Sequence, residues 1–156
     1  IVAATYLSCA AATHGSIILK HVNPGHMNAM TAVLKEMGCK IYTEKSRIIL
    51  SSPVNRLKAV KRIVTMPYPG FPTDMQPQIT VLLGLSRGVS IVTESIFENR
   101  FKFLDELRRM GADIQVAGRV AVVTGTNKLH GAHVRSTDLR GGAATREKYR
   151  RQHETE

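Results

Sequence analysis

Apolar and polar positions along this chain follow two rhythms, and both recur. The opening run "IVAATYLSCAAA" is apolar and reads as a helix ending near Gly15. A short β-branched segment, "SIIL", follows with strand character. Asn23-Pro24 then offers an N-cap and a proline at the first helical position. Gly38 closes that helix, and "KIYTEKSRIILS" alternates as a hairpin. The pattern restarts downstream. "GVSIVTESIFENRFKFLDELRRMGADI", from Gly88, aligns without a gap on "GSIILKHVNPGHMNAMTAVLKEMGCKI", from Gly15, at an offset of 73 residues. Leu34 then meets Leu107, Met37 meets Met110 and Gly38 meets Gly111.

The repeat predicts a unit of strand, helix, strand, helix and hairpin, stacked at least twice. Gly15 and Gly88 are expected as left-handed C-terminal caps. In the second unit, Ser95 and Glu98 have capping-box spacing and predict a helix starting there. Ahead of it, "MPYPGFPTDMQPQITVLLGL" places Pro69 and Pro72 in a loop and an apolar, buried helix beyond it. Thr73 and Gln76 have capping-box spacing at that helix's start. A third unit begins at "KLHGAHVRSTDLRGGAA", with Asp138 standing where Asp74 stood. The repeats are expected over 1–58, 59–128 and, incompletely, 129–144. The final stretch, 145–156, is "TREKYRRQHETE", which has no apolar face and is expected to be solvated.

A length of 156 residues suits one domain with a core, and 43% apolar with 22% charged residues is the balance of a soluble globular protein. The opening apolar run is too short to cross a bilayer. Cys9 and Cys39 lack metal-ligand spacing and read as reduced thiols in a cytosolic protein, with no metal expected. The chain has no initiator Met and reads as cut from something longer. Lys and Arg outnumber Asp and Glu by 22 to 12, which favours anionic partners. Taken alone, that charge also fits a non-catalytic module binding nucleic acid or another polyanion.

Candidate chemistry gathers at three helix mouths. Asp74 falls in the first turn of its helix, where the dipole favours a carboxylate. Simple capping accounts for that position. So does rigid presentation of a general base or substrate ligand, to which two prolines in the approach add weight. At the second mouth, "TESIFENRF", Ile96 follows the strand and Arg100 enters the next helix. Arg100 is either held for an anionic ligand or packed along Phe97 or Phe103. At the third, Thr137 or Asp138 suits a cap, while Arg140 and its glycines suit a phosphate or carboxylate.

Four stretches, "FPTDMQPQ", "TESIFENRF", "ELRRMGADI" and "STDLRGGAA", closely resemble the UDP-N-acetylglucosamine enolpyruvyl transferases (1-carboxyvinyltransferases), with the match running over residues 6–144. The shikimate-pathway enolpyruvyl transferases share that fold. The resemblance implies an inside-out α/β barrel of βαβαββ repeats, six in two domains of three, of which this chain holds an incomplete domain. It implies transfer of the enolpyruvyl group of phosphoenolpyruvate to the 3-hydroxyl of UDP-N-acetylglucosamine, in cytoplasmic peptidoglycan synthesis. No cofactor is implied, and no membrane partner.

By position, Asp74 matches the family's aspartate that meets the hydroxyl and is proposed as its base. Ile96 matches a backbone contact to the nucleotide sugar. Arg100, Asp138 and Arg140 match charged residues lining the cleft near phosphoenolpyruvate. The family's N-terminal Lys-Asn pair, its mobile-loop cysteine and further cleft arginines have no counterpart here. Cys9 and Cys39 lie in other elements. The isolated chain is therefore expected to be inactive without the missing half.

Overall fold

The computed structural model describes residues 1–135. In chain order these form α1 (Val2–Ala12), β1 (Ser16–Lys20), a 3-10 turn (Pro24–Met27), α2 (Asn28–Glu36), β2 (Lys40–Glu44) and β3 (Arg47–Ser51). Then come β4 (Arg62–Val64), a second 3-10 turn (Thr73–Met75), α3 (Gln76–Leu85), β5 (Val89–Thr93), α4 (Leu104–Arg109), β6 (Asp113–Ala117) and β7 (Val120–Thr124). β1, β2 and β3 lie 73 residues ahead of β5, β6 and β7, so the sequence repeat is a structural one. One sheet has the order β1-β3-β2 and the other β4-β5-β7-β6. Every pairing is antiparallel except β4 with β5. The register repeats too: Ile18, Ile49 and Tyr42 form a row across the first sheet, as Ile91, Val122 and Gln115 do across the second.

Two of the helices, α1 and α3, lie inward. α1 packs on β1 and β3, α3 packs on β5 and β7, and the two helices meet. Each sheet turns one face inward, through Ile41, Ile48 and Leu50 in the first and Val92, Ile114, Ala121 and Val123 in the second. The opposite faces meet solvent, with Ile18 and Tyr42 exposed. α3 is buried from Gln76 to Gly84, which explains its apolar character on all sides. α1 has similar character but leaves Val2 and Tyr6 exposed. These are α/β layers with helices innermost; by themselves they do not close a barrel. Among the described residues no helix is long and apolar enough to cross a membrane.

Helix ends follow the sequence in part. α2 and α4 end in paired Schellman bonds, Cys39 N–H to Leu34 O and Ala112 N–H to Leu107 O, each 3.0 Å. Gly38 and Gly111 take the left-handed position there, at φ 107° and 90°. Asn23 caps the first 3-10 turn, its Oδ1 accepting from Gly25 N–H at 3.0 Å. Gly15 departs from expectation. His14 holds the left-handed position, at φ 54°, while Gly15 N–H bonds Ala10 O one place further on. Gly88 is also not a cap, because α3 has already stopped at Leu85, with Ser86 extended. Arg56 closes α3 instead. Its guanidinium donates to Leu85 O (3.1 Å), Ser86 O, Thr126 O (2.9 Å) and Asn127 Oδ1 (2.6 Å).

Arg56→Met leaves those part-buried carbonyls without their donor, and it is expected to lower unfolding free energy by about 1.5–3 kcal/mol in urea titration. Cys39 is buried, and burial raises its thiol pKa, partly offset by a hydrogen bond with Ser52.

Both predicted capping boxes are absent. α4 begins at Leu104 rather than near Ser95, whose hydroxyl donates to Thr65 O, and Glu98 pairs with Arg119 at 2.9 Å. Pro72 precedes the turn at Thr73, whose hydroxyl donates to Glu94 Oε2 at 2.8 Å. That bond turns the Thr73 hydroxyl toward Glu94, and the hydroxyl makes no capping bond to its own turn. Among the described residues, the side-chain amide of Gln76, 0% exposed, has no hydrogen-bond partner.

Candidate functional site

Two loops build the described part of the site. The first leaves β4 through Thr65 and closes on itself: Met66 N–H bonds Phe71 O at 2.9 Å, and Gly70 N–H bonds Pro67 O at 2.8 Å. Gly70 is needed for this closure, since a Cβ there would lie 2.5 Å from Met66 Cβ. Phe71 and Met75 are buried on either side of Pro72, Thr73 and Asp74. Asp74 therefore sits in a 3-10 turn pinned at both ends, running directly into α3. The stiffness that the prolines suggested comes as much from these bonds and buried side chains.

The second loop leaves β5. Alternate residues of that strand, Ser90 and Val92, point inward, and the alternation carries on to Glu94, which is 1% exposed. A carboxylate so placed needs partners. Glu94 Oε1 accepts from Thr65 Oγ1 (2.8 Å), Ile96 N–H (2.9 Å) and Phe97 N–H (3.2 Å), and Oε2 accepts from Thr73 Oγ1 (2.8 Å). Its backbone N–H bonds Arg119 O at 2.9 Å. Arg100 follows in the turn before α4, not within the helix as its sequence position suggested. Its guanidinium lies 4.7 Å from the centre of the Phe97 ring and reaches Asp74 Oδ1 at 3.4 Å. The side chains of Arg100 and Asp74 are 21% and 25% exposed, so the pair is largely withdrawn from water.

The structure thus brings together Asp74, Ile96 and Arg100, three of the five residues singled out from the sequence. Of the two readings of Arg100, the packing on Phe97 is seen, and the guanidinium also pairs with the chain's own Asp74 carboxylate. Asp138 and Arg140 lie outside the described residues. The approach to them is tied to the second unit, where His130 N–H bonds Met110 O at 2.9 Å and Arg135 N–H bonds Glu106 Oε2 at 3.0 Å. Sequence reasoning missed Glu94 and Thr65. Its available signal was the strand alternation, which runs through Ser90 and Val92 to an acidic residue.

Two inward helices, backed by sheets that each turn one face to solvent, thus bring charged residues to one helix mouth. Residues 1–145 match the EPSP synthase (3-phosphoshikimate 1-carboxyvinyltransferase) family, and the chain belongs to that family. Within it, the chain is 52% identical over 144 residues to "UDP-N-acetylglucosamine 1-carboxyvinyltransferase 2" of Caldanaerobacter subterraneus subsp. tengcongensis, covering 92% of this chain and 34% of that protein. It is 50% identical over 146 residues to "UDP-N-acetylglucosamine 1-carboxyvinyltransferase" of Desulfofundulus thermocisternus, covering 92% and 58%.

Among solved structures, the enolpyruvyl transferase NikO of Streptomyces tendae superposes with a TM-score of 0.80 at 20% identity, over 92% of this chain and 34% of that one. EPSP synthase of Acinetobacter baumannii gives 0.70 at 20% identity, over 93% and 37%. These last two establish the fold alone. The chain spans between about a third and somewhat over half of the sequence relatives' length.

Proposed function

We propose that this chain supplies one wall of an enolpyruvyl transferase active site. The reaction moves the enolpyruvyl group of phosphoenolpyruvate to the 3-hydroxyl of UDP-N-acetylglucosamine. The sugar oxygen bonds the enol carbon, the bond from that carbon to the phosphate oxygen breaks, and phosphate leaves. The observation that carries this reading is the meeting of Asp74 and Arg100 at 3.4 Å, with the Ile96 N–H held by Glu94, which also bonds Thr73 beside Asp74. Asp74 takes the hydroxyl proton, and Arg100 orients its carboxylate. Ile96 holds the nucleotide sugar through its backbone. By resemblance to the family, Asp138 and Arg140 are the charged residues assigned to phosphoenolpyruvate.

The opposite wall belongs to the missing half of the enzyme, so turnover by this chain alone is not expected. The reading extends to a six-repeat inside-out barrel, with repeats here at 1–58, 59–128 and from 129 to 144, and 145–156 as a tail outside the repeat. It also carries a cytoplasmic setting in peptidoglycan synthesis, and through that a part in cell shape and division. No cofactor is required by the chemistry. The net charge of +10, which alone admits a nucleic-acid module, is accounted for equally well by two anionic substrates.

A thermal melt tests this. UDP-N-acetylglucosamine at tenfold its dissociation constant adds about 1.4 kcal/mol of stability, which raises the melting temperature by a few degrees. No shift with the nucleotide sugar, together with a salt-sensitive shift from a random oligonucleotide, would replace this reading with the polyanion module.

A further inference from the structure

The two units of the repeat contain an internal control. Glu94 aligns with His21 at the 73-residue offset, each lying just beyond its strand. After His21, the turn is capped locally by Asn23. After Glu94, the turn is held by a buried carboxylate that also reaches Thr65 and Thr73 in the other loop. The fold therefore builds this strand-to-turn exit without a bridging carboxylate. Burying one is costly unless its bonds are made, and here each carboxylate oxygen has at least one short donor. The unit that carries this bridge is the one that carries Asp74, Ile96 and Arg100.

We propose that Glu94 is a positioning residue that joins the Asp74 turn to the Ile96–Phe97 backbone. The proposal rests on the functional reading above, since both joined elements would face the same nucleotide sugar. Thr73 is the bonded neighbour of Asp74, so fixing its hydroxyl on Oε2 fixes the start of the Asp74 turn. Oε1 meanwhile fixes the Ile96 and Phe97 amides, and the ring of Phe97 underlies Arg100. One carboxylate thus sets the spacing of the proton acceptor, the backbone contact and the arginine.

The test uses the full 156-residue chain and two readouts, amide hydrogen exchange without ligand and UDP-N-acetylglucosamine affinity by calorimetry. Thr73→Val removes one hydroxyl at nearly constant volume. It is expected to speed exchange at the Ile96 and Phe97 amides about tenfold, although neither residue is a sequence neighbour. Thr73→Ser is expected to restore the wild-type rates. Glu94→Gln is expected to weaken affinity about tenfold or more, and adding Thr73→Val to it costs little further, because both act through one bridge. Unchanged exchange at Ile96 and Phe97 in Thr73→Val, or fully additive affinity losses, would overturn the positioning role. Coupled exchange in a wild-type chain that binds no nucleotide sugar would instead sink the functional reading and leave the bridge intact.

Discussion

Asp74→Asn is expected to lower phosphate release by about 10²–10⁴-fold with little change in KM for the nucleotide sugar, in a chimera whose 1–144 segment comes from this chain and whose remainder comes from the 52% identical relative. The substitution is close to isosteric, and its amide oxygen can still accept from the Arg100 guanidinium, now 3.4 Å from Asp74 Oδ1. The turn between the buried Phe71 and Met75 is therefore expected to keep its shape. What is lost is the charge and the capacity to take a proton. A fall in kcat at near-constant KM is the signature of an interaction made only in the transition state. Release within threefold of the parent chimera would remove Asp74 as the base.

The largest stability effect is expected at Gly125. A Cβ there would stand 1.7 Å from Ser86 O and 2.7 Å from Ser86 C. Neither backbone can retreat cheaply. Gly125 N–H bonds Gly88 O at 2.9 Å, Ser86 is fully buried, and its carbonyl also accepts from Arg56. Gly125→Ala is expected to cost about 3 kcal/mol or more, the upper range for overpacking, and to leave little folded chain. Gly84 provides the contrast. It lies inside α3, and a Cβ there meets nothing within 4 Å. Gly84→Ala should gain up to about 1 kcal/mol from helix propensity. Paired urea titrations decide both; a folded Gly125→Ala with wild-type stability would show that the α3–β5 junction is looser than the structure describes.

Local features were legible in the sequence, and non-local ones were not. The repeat fixed β1, β2 and β3 against β5, β6 and β7 because the same pattern of apolar positions serves the same inward faces twice. Gly38 and Gly111 were readable because a Schellman end demands a left-handed residue one place past the helix. The same rule went astray at Gly15, where His14 accepts that conformation, and at Gly88, where Arg56 closes the helix from far along the chain. Thr73 and Ser95 have the chemistry of caps, but their hydroxyls bond groups 21 and 30 residues away. Glu94 was missed in part for the same reason, since Thr65 and Thr73 reach it only once β4 lies beside β5. For the site, Asp74, Ile96 and Arg100 were placed by resemblance to a family. Their mutual geometry, and the carboxylate that joins them, came only with the fold.

Phosphate release by the parent chimera tests the central claim most directly. The account predicts release that requires both phosphoenolpyruvate and UDP-N-acetylglucosamine, at a rate within about tenfold of the intact relative (roughly 1.4 kcal/mol in the barrier). A chimera that folds, melts cooperatively and releases no phosphate would contradict it: residues 1–135 would then hold the family's fold without a working wall of its active site.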